Sequence, residues 1–156
     1  MAGVMEAKVK PRTMIPIFQL MSAEGRPVSI WDYKGRKNLV IVFLTRDEWQ
    51  LCLEFLRSTI NVYHQYEEED AVVLAIVRGN LADATEIQHD LKPPFPILYD
   101  PDGRVTQRFT SHLPAVFVAD RYGEVHAEWA VLPEKGFPTQ KEVLDALDLI
   151  NLECPE

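Results

Sequence analysis

Cysteine is nearly absent from this chain of 156 residues: Cys52 and Cys154 are the only two, and almost the whole sequence separates them. Two such distant thiols make no disulfide framework, and they agree with a reducing compartment. Histidine is equally sparse. His64, His89, His112 and His126 occur singly, with no spaced Cys/His set of the kind that zinc or copper requires, so neither a metal nor another cofactor is expected. Positive charge is short as well, with 16 Lys and Arg against 24 Asp and Glu and a formal net charge of -8. A phosphate backbone or an anionic membrane surface would be repelled, which argues against both as partners. No stretch approaches the ~20 apolar residues of a membrane span. The first residues show no charged leader followed by an apolar core and a small-residue cleavage site, so the expectation is a soluble cytoplasmic protein. Repeats, low-complexity tracts and interdomain linkers are also missing.

What remains is a chain that is 47% apolar and 26% charged, enough for one domain with a real core. Residues 1–12 are polar and unpatterned and read as a loose arm, leaving a single domain over 13–156. Residues 17–21 and 27–30 read as a hairpin turned at Gly25. Two continuous apolar runs, 39–44 and 71–77, suit strands buried on both faces of a parallel sheet. Between them Trp49, Cys52, Leu53, Leu56, Ile60 and Tyr63 recur at helical spacing, behind a capping-box pattern of Asp47 and Gln50, which predicts a helix over 48–66. Asn80 should cap a second helix ending at Leu91. A short strand within 92–99, a turn and helix start at 100–103, a hairpin over 115–131 turned at 120–123, and a closing amphipathic helix over 139–152 complete the order. Two strand–helix–strand units followed by a hairpin and a helix specify a three-layer α/β sandwich, thioredoxin-like, with a central mixed sheet and an N-terminal β-hairpin.

Cys52 falls where the first long strand turns into its helix. A thiol there feels the positive end of the helix dipole, which favours the thiolate. Arg46 and Arg57 would support that ionisation, whereas Asp47, Glu48 and Glu54 oppose it. The same position lies on the apolar helix face, so an inert core thiol is an equal alternative.

Four phrases in order, residues 26–35, 38–47, 95–103 and 113–123, resemble the peroxiredoxin and redoxin branch of the thioredoxin superfamily, the alkyl hydroperoxide reductase/thiol-specific antioxidant group. The resemblance runs over about residues 15–150. It makes Cys52 the candidate peroxidatic nucleophile, with Thr45 standing where the family has proline and Trp49 where it has threonine. It also makes Pro114 a thioredoxin-type proline, expected to be cis and to face the thiol, while the family's supporting arginine is missing from its place near Pro114. Arg46, as a nearby cation, and His112, just before Leu113, are the candidate supporting groups. The implied activity is a thiol oxidoreductase that reduces a small hydroperoxide through one cysteine and an external thiol reductant. Cys154 would be a resolving cysteine only if it came within ~7 Å of Cys52, which the distance between the terminal helix and the strand-to-helix corner in this fold argues against in a monomer. A homodimer stays open. The competing reading is a redox-inactive binding or scaffold domain with a degenerate active site. A metal chaperone on the same fold would need a second cysteine near Cys52, which the sequence does not provide.

Overall fold

The computed structural model describes Lys8 and residues 10–153. The opening hairpin forms from β1 (Gln19–Ser22) and β2 (Pro27–Ser29), with Gly25 at φ 85 making the turn. A 3-10 turn over Ile30–Asp32, capped by the Ser29 side chain, leads to the seven-residue strand β3 (Asn38–Leu44), buried throughout. There follow α1 (Trp49–Asn61), α2 (Tyr63–Glu68), β4 (Ala71–Val77), α3 (Leu81–Leu91), β5 (Ile97–Tyr99), α4 (Arg104–Phe109), β6 (Ala115–Ala119), β7 (Val125–Ala130) and α5 (Gln140–Glu153). Asn80 caps α3 in a reciprocal capping box with Asp83.

One seven-stranded sheet joins them in the order β2-β1-β5-β4-β3-β6-β7. β3 pairs in parallel with β4 and antiparallel with β6, so the sheet is mixed about its central strand. Alternation along β3 divides the core between the two faces. Val40, Val42 and Leu44 point to one side, where α1, α2, α3 and α5 supply Leu56, Tyr66, Ile87 and Leu147. Leu39, Ile41 and Phe43 point to the other, against α4 and the N-terminal segment, with Phe109 packed on Phe18, Phe43 and Phe117. This is the thioredoxin-like three-layer arrangement expected.

Two local expectations need correction. The helix expected over 48–66 is two helices, because Val62 leaves helical geometry (φ -120, ψ 22) and its amide turns to the Thr59 and Ile60 carbonyls. The break lets Tyr63 and Tyr66 bury separately, Tyr63 accepting the Val73 amide and Tyr66 donating to Gln140 at 2.5 Å. Nor do Asp47 and Gln50 form a capping box. Thr45 takes the cap instead, accepting the Asp47 amide at the head of a 3-10 turn over Arg46–Glu48, and Glu48 precedes α1 with no side-chain cap bond.

Asn38, the first residue of β3, is fully buried. Its amide donates to the Glu69 carbonyl and to Asn151 Oδ1, both at 3.1 Å, while Asn151 donates back to the Glu69 carbonyl and carboxylate. The start of the central strand, the exit of α2 and the last helix are tied at one point.

Candidate active site

The corner after β3 is built by Thr45. Its extended backbone ends the strand, its hydroxyl starts the 3-10 turn, and its carbonyl accepts the Cys52 S–H at an S···O distance of 3.8 Å. Cys52, fourth residue of α1, has no exposed surface and joins the apolar cluster with Leu44, Leu53 and Leu56. Burial pushes its thiol up to about 11 from an ordinary 9.0, the Thr45 backbone opposes the shift, and the charge of Glu48 adds a lesser push upward. The helix dipole is outweighed here, because desolvation of a thiolate in an apolar cluster costs more than a helix terminus returns.

Arg46 does not serve the sulfur. Its guanidinium lies over the Trp49 ring at 4.0 Å, and it bonds Asp83 Oδ1 at 3.1 Å and Glu86 Oε1 at 2.6 Å. Trp49 donates its indole N–H to the other Glu86 oxygen at 3.2 Å. The Arg46 hydrogen bond, first among several causes, holds the Glu86 carboxyl below its ordinary value. Trp49, half-buried, packs against the same cluster as Cys52. The first turn of α1 is thus fastened to α3 through one indole, one guanidinium and two carboxylates. Asp83 and Glu86 lie far along the chain from Trp49, and nothing in the sequence marks them as its partners. Arg57, the other candidate cation, is exposed.

Register places Pro114 at the same end of the sheet. Ala115 pairs with Phe43, so Pro114 lies beside the Leu44 end of the strand. The Leu113–Pro114 peptide is cis, as expected, and Pro114 is buried, its carbonyl accepting the Val131 amide at 3.0 Å. His112 shares this end, but its Nε2 donates to the Val131 carbonyl at 2.6 Å instead of serving the thiol. The structure therefore brings Thr45, Trp49 and Cys52 together, with Pro114 at the same sheet end, while Arg46 and His112 are engaged elsewhere. Cys154 lies outside the described residues, and Cys52 is a free thiol.

A grouping that single histidines in the sequence do not reveal is Asp120, Glu124 and His126, whose ligand atoms lie within 4.8 Å of one another. Asp120 already accepts the Tyr122 and Glu124 amides on one oxygen and bonds His126 at 3.0 Å on the other. Those bonds fix the turn between β6 and β7. Among the described residues no helix is long and apolar enough to cross a membrane.

Comparison with known proteins agrees with this geometry. Peroxiredoxin Q of Oryza sativa subsp. japonica, chloroplastic, is 28% identical over 102 residues, 65% of this chain and 46% of the relative. Peroxiredoxin Q of Sedum lineare, also chloroplastic, is 29% identical over 103 residues, 66% of this chain and 55% of the relative. The match thus spans about half the length of these plant proteins. Among solved structures, peroxidoxin BcpB from Mycobacterium tuberculosis superposes with a TM-score of 0.81 at 16% identity, covering 91% of this chain and 98% of that one. AhpC from the same organism gives 0.78 at 18% identity, covering 94% and 97%. At such identity these superpositions speak for the fold. The AhpC/TSA family profile matches residues 11–128, most of the chain and all of the corner around Cys52, and the chain belongs to the AhpC/TSA family, the peroxiredoxin branch of the thioredoxin-like proteins.

Proposed function

We propose that this chain is a peroxiredoxin-type thiol oxidoreductase that reduces a small hydroperoxide at Cys52 and is regenerated by an external thiol. The observation that carries the reading is the position of Cys52 at the strand-to-helix corner, its S–H held by the Thr45 carbonyl, in a chain matched by the AhpC/TSA profile. In the reaction the thiolate attacks the distal peroxide oxygen, the O–O bond breaks, and the departing alkoxide takes a proton to leave as alcohol or water. Cys52 becomes a sulfenic acid. A first external thiol condenses with it, releasing water and forming a mixed disulfide; a second reduces that disulfide and restores the thiol. Because Cys52 rests buried and protonated, the reading includes a local release of the first turn of α1 before peroxide arrives. A cytoplasmic location, consistent with the scarcity of cysteine, is part of the same proposal.

A second reading has its own support. A thiol with no exposed surface and a raised pKa suits a redox-inactive domain that keeps the fold for binding. Peroxide consumption with a small-thiol reductant, together with trapping of the sulfenic acid by dimedone, separates the two. Cys52→Ser is expected to abolish turnover and labelling, and Cys154→Ser to leave most of both. A wild-type chain that consumes peroxide no faster than Cys52→Ser at any mildly alkaline pH supports the inactive domain.

A further inference from the structure

Far from Cys52, at the other end of β3, Leu39 forms part of a cavity of about 130 Å³. Its wall is apolar, built from Met14, Ile15, Ile17 and Ile30 besides Leu39, with the rings of Trp31 and Tyr122 beside them. Its volume is close to that of an apolar cavity of about 150 Å³ that binds benzene, and its mouth is open, so it suits a single ring or a short alkyl chain. Backbone hydrogen bonds fix its walls in advance. The Ile15 amide donates to the Gly123 carbonyl at 2.9 Å and the Gly35 amide to the Arg121 carbonyl at 2.7 Å. Gly123, at φ 93, leaves space that a Cβ would narrow to 3.3 Å from the Met14 methyl.

Four large apolar side chains around this hollow are left more than half exposed: Met14 at 59%, Ile17 at 54%, Trp31 at 55% and Tyr122 at 59%. Exposed apolar surface gathered about one concavity is the mark of a ligand site. Two cations belong to the same lining, an exposed Lys34, whose ammonium stands 4.6 Å over the Trp31 ring, and a half-buried Arg121. Among the described residues neither forms a salt bridge, although this chain carries eight more acidic than basic groups. An apolar hollow with two cations that form no salt bridge with any described carboxylate complements a ligand of opposite design, an apolar body ending in an anion.

We propose that this cavity binds small monocarboxylates with an aryl or short alkyl body, the body in the hollow and the carboxylate shared by Arg121 and Lys34. The site is separate from Cys52, and its occupancy does not depend on the peroxidase reading. Trp31 lies in the wall, so its fluorescence reports occupancy, with calorimetry as a second readout. Titration with 3-phenylpropionate should saturate with a Kd of about 1 mM or tighter. The alcohol of the same carbon skeleton, 3-phenylpropanol, should bind at least about tenfold more weakly, and 3-phenylpropylamine more weakly still. Arg121→Gln and Lys34→Gln should each weaken the acid by about three- to tenfold, their circular dichroism and Cys52 alkylation rates unchanged. Trp31→Phe should lose the optical signal and keep the calorimetric one. Absence of saturation in the millimolar range, equal binding of acid and alcohol, or acid binding unchanged in the doubly substituted Lys34→Gln/Arg121→Gln chain would each overturn the proposal.

Discussion

Alkylation of Cys52 should accelerate about tenfold with each pH unit from about pH 7 to about 11, because only the thiolate reacts and the folded protein keeps the thiol protonated up to about 11. At pH 7 that value leaves roughly one sulfur in ten thousand ionised, about a hundredfold fewer than a thiol at the ordinary 9.0. The slope does not depend on the route. If reagent reaches Cys52 only after α1 opens, the closed protonated form is still the one that must lose a proton, so the rise continues as long as that form dominates. The same shift links to stability. A thiol whose folded pKa lies above its unfolded one contributes stability that is intact below about pH 9 and is lost as pH climbs toward 11, a total of about 3 kcal/mol over the two-unit shift. Iodoacetamide rates followed by mass spectrometry on the Cys154→Ser chain, with a urea-unfolded control that levels near 9, give the profile directly. Urea midpoints of wild type and Cys52→Ala across the same range give the stability. A rate that levels off below about pH 8, or a wild type that loses no more stability than Cys52→Ala above pH 9, would refute the argument that burial controls this thiol.

Trp49→Thr should raise the neutral-pH alkylation and peroxide oxidation rates of Cys52, since the indole packs on the same cluster and fastens α1 to Glu86; stopped-flow traces showing no gain would mean that Trp49 is not the barrier. Glu86→Ala should raise the alkylation rate more modestly, by no more than about tenfold, because it releases Arg46 and the indole while leaving both in place. Tyr66→Phe should cost about 1–2 kcal/mol in urea unfolding, as Gln140 Oε1 loses the donor that ties α5 to α2, with Cys52 chemistry unchanged.

The strands were legible because burial on both faces writes continuous apolar runs, and residues 39–44 and 71–77 became β3 and β4 almost to the residue. The Asn80 cap, the turns at Gly25 and 120–123 and the cis Leu113–Pro114 peptide were legible for local reasons, the last through the family resemblance. The break at Val62 was not, because the helical spacing of apolar residues runs straight across it and only the tertiary hydrogen bonds of Tyr63 and Tyr66 distinguish two helices from one. Thr45, Trp49 and Cys52 sit at the strand-to-helix corner where the sequence put them, whereas Arg46 turns away from the sulfur. A cation near a thiol in sequence looked like support for the thiolate. Its true partners, Asp83 and Glu86, come from α3, a helix that only the sheet order brings alongside.

The tie among Asn38, Glu69 and Asn151 has a consequence for how the chain matures during synthesis. β3 leaves the ribosome well before α5, yet the buried amide at its head finds one of its two acceptors only when residue 151 arrives. Until then the nascent strand can pair with β4 but carries an amide N–H without its Asn151 acceptor at the edge of the future core. The central strand thus waits on α5, and the arrival of that helix completes the tie at its head.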